Sequence, residues 1–197
     1  HRQHLLTGYS TQMSKKVFVG LSGGVDSAVS ATLLKKQGFG VVGVFIKIWQ
    51  PEFLECNWAR DRLDAMRVCV ALGIPFREID LSHEYKEEVV KKMIDDYSNG
   101  VTPNPDVLCN RHIKFGSFLK YAENEGADFI ATGHYARIEE SKGVFSLLRA
   151  NDESKDQSYF LHTLGQSDLS RTLFPVGELK KDEVRALLHG AKPGRNR

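Results

Sequence analysis

A glycine-rich octet, GLSGGVDS at residues 20–27, is the segment whose residue types most clearly suggest chemistry. It lies between the apolar run Val17–Leu21 and a stretch with apolar residues at helical spacing, so we expect a strand, a tight turn and a helix. Adjacent glycines let a backbone turn sharply and approach a ligand closely. Amides at a helix start favour an anion, and two serine hydroxyls add donors. The octet therefore predicts a phosphate-binding loop.

The octet differs from a Walker A loop because Asp26 stands where that motif has a lysine. A carboxylate beside a phosphate would repel it, unless the carboxylate orders a Mg²⁺ ion or shapes the pocket. The alternative is a glycine-rich turn between strand and helix in which Asp26 only caps the helix. Residue types alone leave both interpretations open.

The segment TPNPDVLCN, residues 102–110, predicts a rigid loop that leads into a helix, because its two prolines fix φ. Cys109 then lies near a helix N-terminus and beside the basic segment Arg111–Lys114, surroundings that lower the pKa of a thiol. Asp106 is close enough in sequence to act as a base or to contact a substrate. The alternative is a buried cysteine in a proline-capped turn.

The other two cysteines suggest less. Cys69 lies on an apolar helix face and is predicted to be in the core, whereas Cys56 lies in a polar loop and its role stays open. The three cysteines lack the paired spacing of a zinc site, so we expect no metal site. Their odd number fits a reducing compartment.

Two further segments contain polar groups suited to nucleotides. Gly133 follows a predicted strand and permits close approach, and His134 offers a polar contact, although a hydrogen-bonded turn is the simpler interpretation. The segment Lys155–Phe160 combines a cation, an anion, an amide and aromatic rings, which suits phosphate and base contacts. A solvated helix cap is the alternative there.

The composition is that of an ordinary globular protein: 197 residues, 41% apolar, 26% charged and a formal net charge of +2. It excludes collagen-like, low-complexity and wholly disordered chains. No apolar run approaches the roughly 18 residues of a membrane helix, so we expect no membrane association. The basic residues concentrate at the two ends, and bulk charge does not indicate nucleic-acid binding.

Strands alternate with helices along the chain, which predicts an α/β fold, a Rossmann-like parallel sheet with helices on both faces. The octet and residues 132–135 each follow a strand, so they fall on the edge where such sheets bind ligands. The predicted strands are Val17–Leu21, Val41–Ile48, Ile74–Ile79 and Ala127–Ala131, with a hairpin of Ala136–Glu140 and Val144–Leu148. The predicted helices are Asp26–Lys36, Trp58–Leu72, His83–Tyr97, Arg111–Glu125, Asp156–Leu164 and Lys180–His189.

The four blocks, in this order, resemble the tRNA-specific 2-thiouridylase family within the PP-loop ATP pyrophosphatases. The resemblance runs from about Lys15 to His189 and includes PNPDVLCN, IKF, ATGHYAR, KDQSYFL and LFPVGELKK. It implies the adenine nucleotide alpha hydrolase-like fold and replacement of O2 of the wobble uridine of tRNA with sulfur. It also implies ATP and Mg²⁺ as cofactors, tRNA as substrate, and a sulfur-relay protein or cysteine desulfurase as persulfide donor.

The resemblance also implies roles for individual positions. The positions that match the ATP-binding residues are Gly20, Leu21, Ser22, Gly23, Gly24, Val25, Asp26, Ser27, Ile46 and Gly133. Cys109 matches the catalytic nucleophile, with Asp106 beside it. The positions that match contacts to tRNA are Asn104, Pro105, Asp106, His134, Lys155, Asp156 and Gln157.

The chain departs from the family pattern at both ends. We expect residues 1–14 to be a disordered or non-native leader, 15–150 the PP-loop domain, and 151–197 the start of a truncated, helical tRNA-contacting region. The family's second catalytic cysteine and later domains are not in the sequence, so we expect incomplete turnover. The alternatives are another adenylating PP-loop synthetase and an ATP-binding fragment without turnover. We expect a monomer in the cytoplasm, with mitochondria as the alternative because the acid-free leader resembles a transit peptide.

Overall fold

The computed structural model describes residues 14–51 and 58–190. Cys56, nearly all of the expected leader and residues 191–197 therefore lie outside the described residues. The strands are β1 (Lys16–Leu21), β2 (Gly40–Lys47), β3 (Phe76–Asp80), β4 (Phe129–Ala131), β5 (Ala136–Ser141), β6 (Val144–Arg149) and β7 (Thr172–Leu173). Five of them form a parallel sheet in the order β3-β2-β1-β4-β7, while β5 and β6 form an antiparallel hairpin. The predicted α/β fold is confirmed.

Helices lie on both faces of this sheet. They are α1 (Val25–Lys36), α2 (Trp58–Leu72), α3 (Ser82–Tyr85), α4 (Lys91–Ser98), α5 (Pro105–Leu108), α6 (Phe118–Asn124), α7 (Gln166–Ser170) and α8 (Lys181–Gly190). Two π-helical segments, Lys86–Val90 and Cys109–Ser117, connect α3 to α4 and α5 to α6. None of the helices in the described part of the chain has the length and hydropathy needed to cross a membrane.

The two faces of β1 define two parts of the core, because successive side chains of a strand point to opposite faces. Phe18 packs with Phe118 and Val89 under the helices that follow β3. Val17 and Val19 instead pack with residues of α1 and α2, including Cys69. Cys69 is 1% exposed, as its apolar helix face predicts.

The sheet has a topological switch point between β1 and β4. From β1 the chain moves outward to β2 and β3, then returns to place β4 and β7 on the other side of β1. Loops that leave adjacent strands in opposite directions open a crevice at the carboxyl ends of those strands, where α/β proteins bind ligands. The loops after β1 and β4 contain the octet and Gly133.

Three elements differ from the sequence predictions. The helix expected from Arg111 begins at Pro105, because Asn104 caps it. The helix expected over Asp156–Leu164 is replaced by the 3-10 turns Glu153–Lys155 and Ser158–Leu161. Strand β7 was not predicted. It lies after residue 150 in the chain and pairs with β4, so this later part of the chain packs against the parallel sheet. The division into domains at residue 150 stays a prediction.

Candidate functional site

A cavity of about 370 Å³ opens at the carboxyl ends of β1, β2 and β4. Its volume is in the range of sites for small ligands. It contains ten of the predicted site residues: Gly20, Leu21, Ser22, Asp26, Ser27, Ile46, Cys109, Gly133, His134 and Gln157. The sequence therefore identified a set of residues that the fold brings together from five separate segments.

The octet forms a tight loop against α2. Gly23 has φ +76°, and a Cβ at this position would lie 2.9 Å from the carbonyl oxygen of Asp61. The hydroxyls of Ser22 and Ser27 lie 3.3 Å apart, and Ser27 Oγ donates to the Gly24 carbonyl. Gly24 is the N-cap of α1 and, within the described residues, no side chain caps this helix. An uncapped helix start attracts an anion.

Gly133 lets β4 and α1 meet. A Cβ on Gly133 would lie 2.7 Å from the Ser27 backbone nitrogen and 2.9 Å from the Asp26 carbonyl carbon. Those contacts are closer than any side chain tolerates. Gly133 therefore lies in the cavity wall, packed against the start of α1 next to the octet, and its predicted approach to a nucleotide stays a prediction.

Asp26 does not cap α1, so the interpretation of the octet as a simple capped turn is wrong. Both carboxylate oxygens of Asp26 accept hydrogen bonds from Lys181 Nζ, at 2.6 and 2.7 Å. The Tyr135 hydroxyl donates to the same carboxylate at 2.9 Å. Lys181 lies on α8, which packs against α1. The acid in the loop is therefore neutralised by a lysine from far along the chain.

Cys109 lies on the wall of the cavity, but its surroundings differ from those expected. Burial raises the pKa of the Cys109 thiol, Asp106 raises it further, and Lys114 acts in the opposite direction. The predicted lowering of this pKa is wrong, because Cys109 is one turn inside the helix rather than at its start and is largely desolvated. Arg111 is exposed, and His112 pairs with Glu88.

The segment Asn104–Asp106 forms the start of α5. Asn104 Oδ1 accepts from the backbone nitrogens of Asp106 and Val107 at 3.1 and 3.3 Å, and Pro105 occupies the first turn. Pro105 and Asp106 are exposed beside the cavity. Their contacts with a target base stay a prediction, and Asn104 has a structural role that the sequence analysis did not give it.

His134 is 9% exposed and packs against the rings of both Phe115 and Phe174, which also contact each other. Its Nδ1 is 2.7 Å from Thr132 Oγ1, and its Nε2 is 3.4 Å from Lys114 Nζ. Burial and the nearby Lys114 charge lower the pKa of His134 to about 3, so the imidazole is neutral at pH 7. A tRNA contact through His134 stays a prediction and would require a base inside the cavity.

In the segment Lys155–Gln157, two side chains bind the backbone of the protein and one is exposed to solvent. Asp156 accepts from the backbone nitrogen of Ala150 at 2.9 Å, and Gln157 Oε1 accepts from that of Tyr135 at 3.0 Å. Gln157 also lines the cavity, whereas Lys155 is exposed. The role of all three in binding tRNA stays a prediction.

Several cavity residues have no local pattern that would identify them. Lys114 could be identified only as a neighbour of Cys109, and Lys181, which holds Asp26 from outside the cavity lining, only as part of a family segment. The lining residues that were not predicted as site residues are Phe45, Lys47, Ile48, Gln50, Trp58, Asp61, Ile113, Lys114 and Thr132. Within residues 14–51 and 58–190, no group of three His, Cys, Asp or Glu side chains could hold a metal ion.

Comparisons with known proteins agree with this geometry. The sequence model of the family described as tRNA methyl transferase HUP domain matches residues 15–192. The chain belongs to this HUP-domain family. The match covers all four blocks that the sequence analysis singled out.

Curated relatives of this HUP domain are named tRNA-specific 2-thiouridylase MnmA. The protein from Christiangramia forsetii is 55% identical over 181 residues, covering 88% of this chain and 46% of its own length. The protein from Bacillus subtilis is 48% identical over 179 residues, covering 90% and 48%. The chain thus spans about half the length of the curated relatives it matches.

Solved structures show the same fold. The U34-tRNA thiolase NcsA from Methanococcus maripaludis has a TM-score of 0.55 at 22% identity, covering 92% of this chain and 58% of its own. A 4-thiouridine synthetase solved with RNA and ATP has a TM-score of 0.57 at 22% identity, covering 90% and 40%. These similarities confirm the Rossmann-like architecture of the HUP domain.

Proposed function

We propose that this chain is the adenylating half of an ATP-dependent tRNA 2-thiouridylase. One observation carries the proposal: a single cavity has the uncapped start of α1 on one wall and the Cys109 sulfur on another. An anion site beside a thiol is what the coupled adenylation and sulfur transfer of such an enzyme requires. The MnmA names of relatives at about 50% identity support the same assignment.

The chemistry proceeds in three steps. Uridine O2 attacks the α-phosphorus of ATP, the bond to the β-phosphate breaks, and pyrophosphate leaves against the octet amides. Adenylation turns a poor leaving group into AMP, which departs when a persulfide sulfur attacks C2. The Cys109 thiolate then attacks the inner sulfur of the donor, the bond from that sulfur to the transferred sulfur breaks, and a disulfide between Cys109 and the donor forms as 2-thiouridine is released.

Two carboxylates, those of Asp26 and Asp61, line the cavity in which a Mg²⁺ ion would accompany ATP. Both oxygens of Asp26, in the octet, are held by Lys181, which leaves Asp61 on α2, beside Gly23, as the carboxylate that could bind the ion. A magnesium ion needs one or two carboxylates that are free to bind it. No step above depends on the metal.

The test is pyrophosphate release from ATP with a tRNA that has an unmodified wobble uridine, compared with the same tRNA carrying cytidine there. We expect release with uridine only, its reduction in Gly133→Ala, whose methyl group would displace the start of α1, and its retention in Cys109→Ser, which would block only the sulfur step. An amide-forming synthetase would ignore the tRNA, and an ATP-binding fragment would release no pyrophosphate. Either result would overturn the proposal.

A further inference from the structure

The environment of Cys109 poses a chemical problem. Burial and Asp106 both favour the neutral thiol, and the half-buried Tyr85 lies near enough for charge on Cys109 to raise the pKa of its hydroxyl. The nucleophile in sulfur exchange is the thiolate. Among the described residues, Lys114 is the cation whose charge acts to stabilise the Cys109 thiolate.

The backbone places Lys114 on the same face as Cys109. The two residues are five positions apart and would point about 140° apart around an α-helix. The segment Cys109–Ser117 is π-helical, and its i→i+5 hydrogen bonds bring residues five apart one above the other. Both side chains consequently line the cavity.

The head group of Lys114 is held in place by His134. A lysine ammonium only donates hydrogen bonds, so His134 Nε2, at 3.4 Å, must be the acceptor. The ring proton is then on Nδ1 and is donated to Thr132 Oγ1 at 2.7 Å. This chain of hydrogen bonds requires a neutral imidazole, and burial against Phe115 and Phe174 keeps it neutral.

We propose that Lys114, oriented by His134, is the positioning residue that stabilises the Cys109 thiolate in the cavity. The use of this thiolate in sulfur transfer rests on the proposed function. The electrostatic interaction between Lys114 and Cys109, however, requires neither ATP nor tRNA. Arg111 and His112 do not serve this role, because Arg111 is exposed and His112 pairs with Glu88 on the neighbouring π-helical segment.

The test is the pH dependence of Cys109 alkylation by iodoacetamide, measured on the full chain without ATP or tRNA and quantified by peptide mass spectrometry. In Lys114→Met we expect the midpoint of the pH profile of Cys109 alkylation to rise by about one pH unit. At a fixed pH below the midpoint, alkylation should then be about tenfold slower than in the wild type. Lys114→Arg keeps a cation and should react like the wild type. Lys120→Met, which removes an exposed lysine from the adjoining helix α6, is the matched control.

Two further variants separate charge from packing. Lys114→Gln can still donate to His134 but has no charge, so it should react like Lys114→Met. His134→Leu keeps the lysine but frees its head group, and should give a smaller shift in the same direction. An unchanged Cys109 profile in folded Lys114→Gln and Lys114→Met would overturn the proposal. Because no tRNA is present, that result is independent of whether the chain adenylates uridine.

Discussion

Lys181 Nζ donates to both carboxylate oxygens of Asp26, although the two residues are 155 positions apart. Their side chains are only 21% and 31% exposed. The same ammonium lies 5.4 Å from the centre of the Tyr135 ring, whose hydroxyl also bonds Asp26. The pair removes a negative charge from the mouth of the phosphate loop, where it would otherwise repel ATP.

Replacing Lys181 with methionine should weaken ATP binding by about tenfold or more, because Asp26 would then repel the phosphates from a partly buried position. Lys181→Arg should recover much of the affinity. Titration calorimetry with ATP measures the effect, and Lys180→Met, at the neighbouring exposed lysine, is the control. Equal affinities for Lys181→Met and the wild type would contradict this role.

Removing the Tyr135 hydroxyl should cost about 1–2 kcal/mol of unfolding free energy, since it donates to a charged acceptor from a residue that is 3% exposed. The ion pair with Lys181 stays in Tyr135→Phe. Urea denaturation provides the measurement. Tyr159→Phe, at a tyrosine that is 66% exposed, should change stability much less, and a similar loss in both variants would argue against the contact.

Gly133→Ala should destabilise the protein by about 1–3 kcal/mol and impair ATP binding, because its methyl group would push the start of α1 away from β4. Gly24→Ala is a useful comparison in the same loop. Its Cβ would meet only the Ser22 hydroxyl at 3.3 Å, which can rotate. Thermal unfolding and ATP titration of both variants should rank Gly133→Ala as the more damaged, and the reverse order would refute the packing argument.

Acid should destabilise the fold through His134. Its pKa in the folded protein is about 3, below the ordinary 6.5, so between these values the unfolded chain binds a proton that the folded chain excludes. The contribution of His134 to the free energy of unfolding is fully present above pH 6.5. It decreases as the pH falls toward 3, by at most about 1.4 kcal/mol per pH unit. Urea denaturation at several pH values should show a shallower dependence in His134→Gln than in the control His162→Gln, at an exposed histidine. Parallel curves would count against the assignment.

The sequence predicted the centre of the fold well because local patterns specify it. Val17–Leu21 and Val41–Ile48 are apolar runs that end in glycine or loop signals, and they are β1 and β2 within one or two residues. The octet was identifiable because adjacent glycines and serines serve few other purposes between a strand and a helix. Its partner segment at Gly133 could be placed opposite once a parallel sheet was expected.

The remaining features depend on contacts that no local pattern contains. Strand β7 has only two residues, Thr172 and Leu173, and exists because β4 offers it an edge. The Asp26–Lys181 pair joins residues at opposite ends of the chain. The Cys109 environment was misjudged because neighbours in sequence suggested cations, whereas desolvation, a property of the folded structure, determines the direction of its pKa shift.

The π-helical turn between α5 and α6 makes this part of the chain sensitive to length. Deleting one residue from Cys109–Ser117 would let the segment relax into an ordinary helix, and the side chains before the deletion would rotate by about 100° relative to those after it. The sulfur would turn away from the ammonium group while the hydrophobic layers beneath remained intact. A one-residue gap here in an aligned homologue would therefore mark a protein that keeps the architecture but has lost the alignment of a thiol with a lysine at the cavity wall.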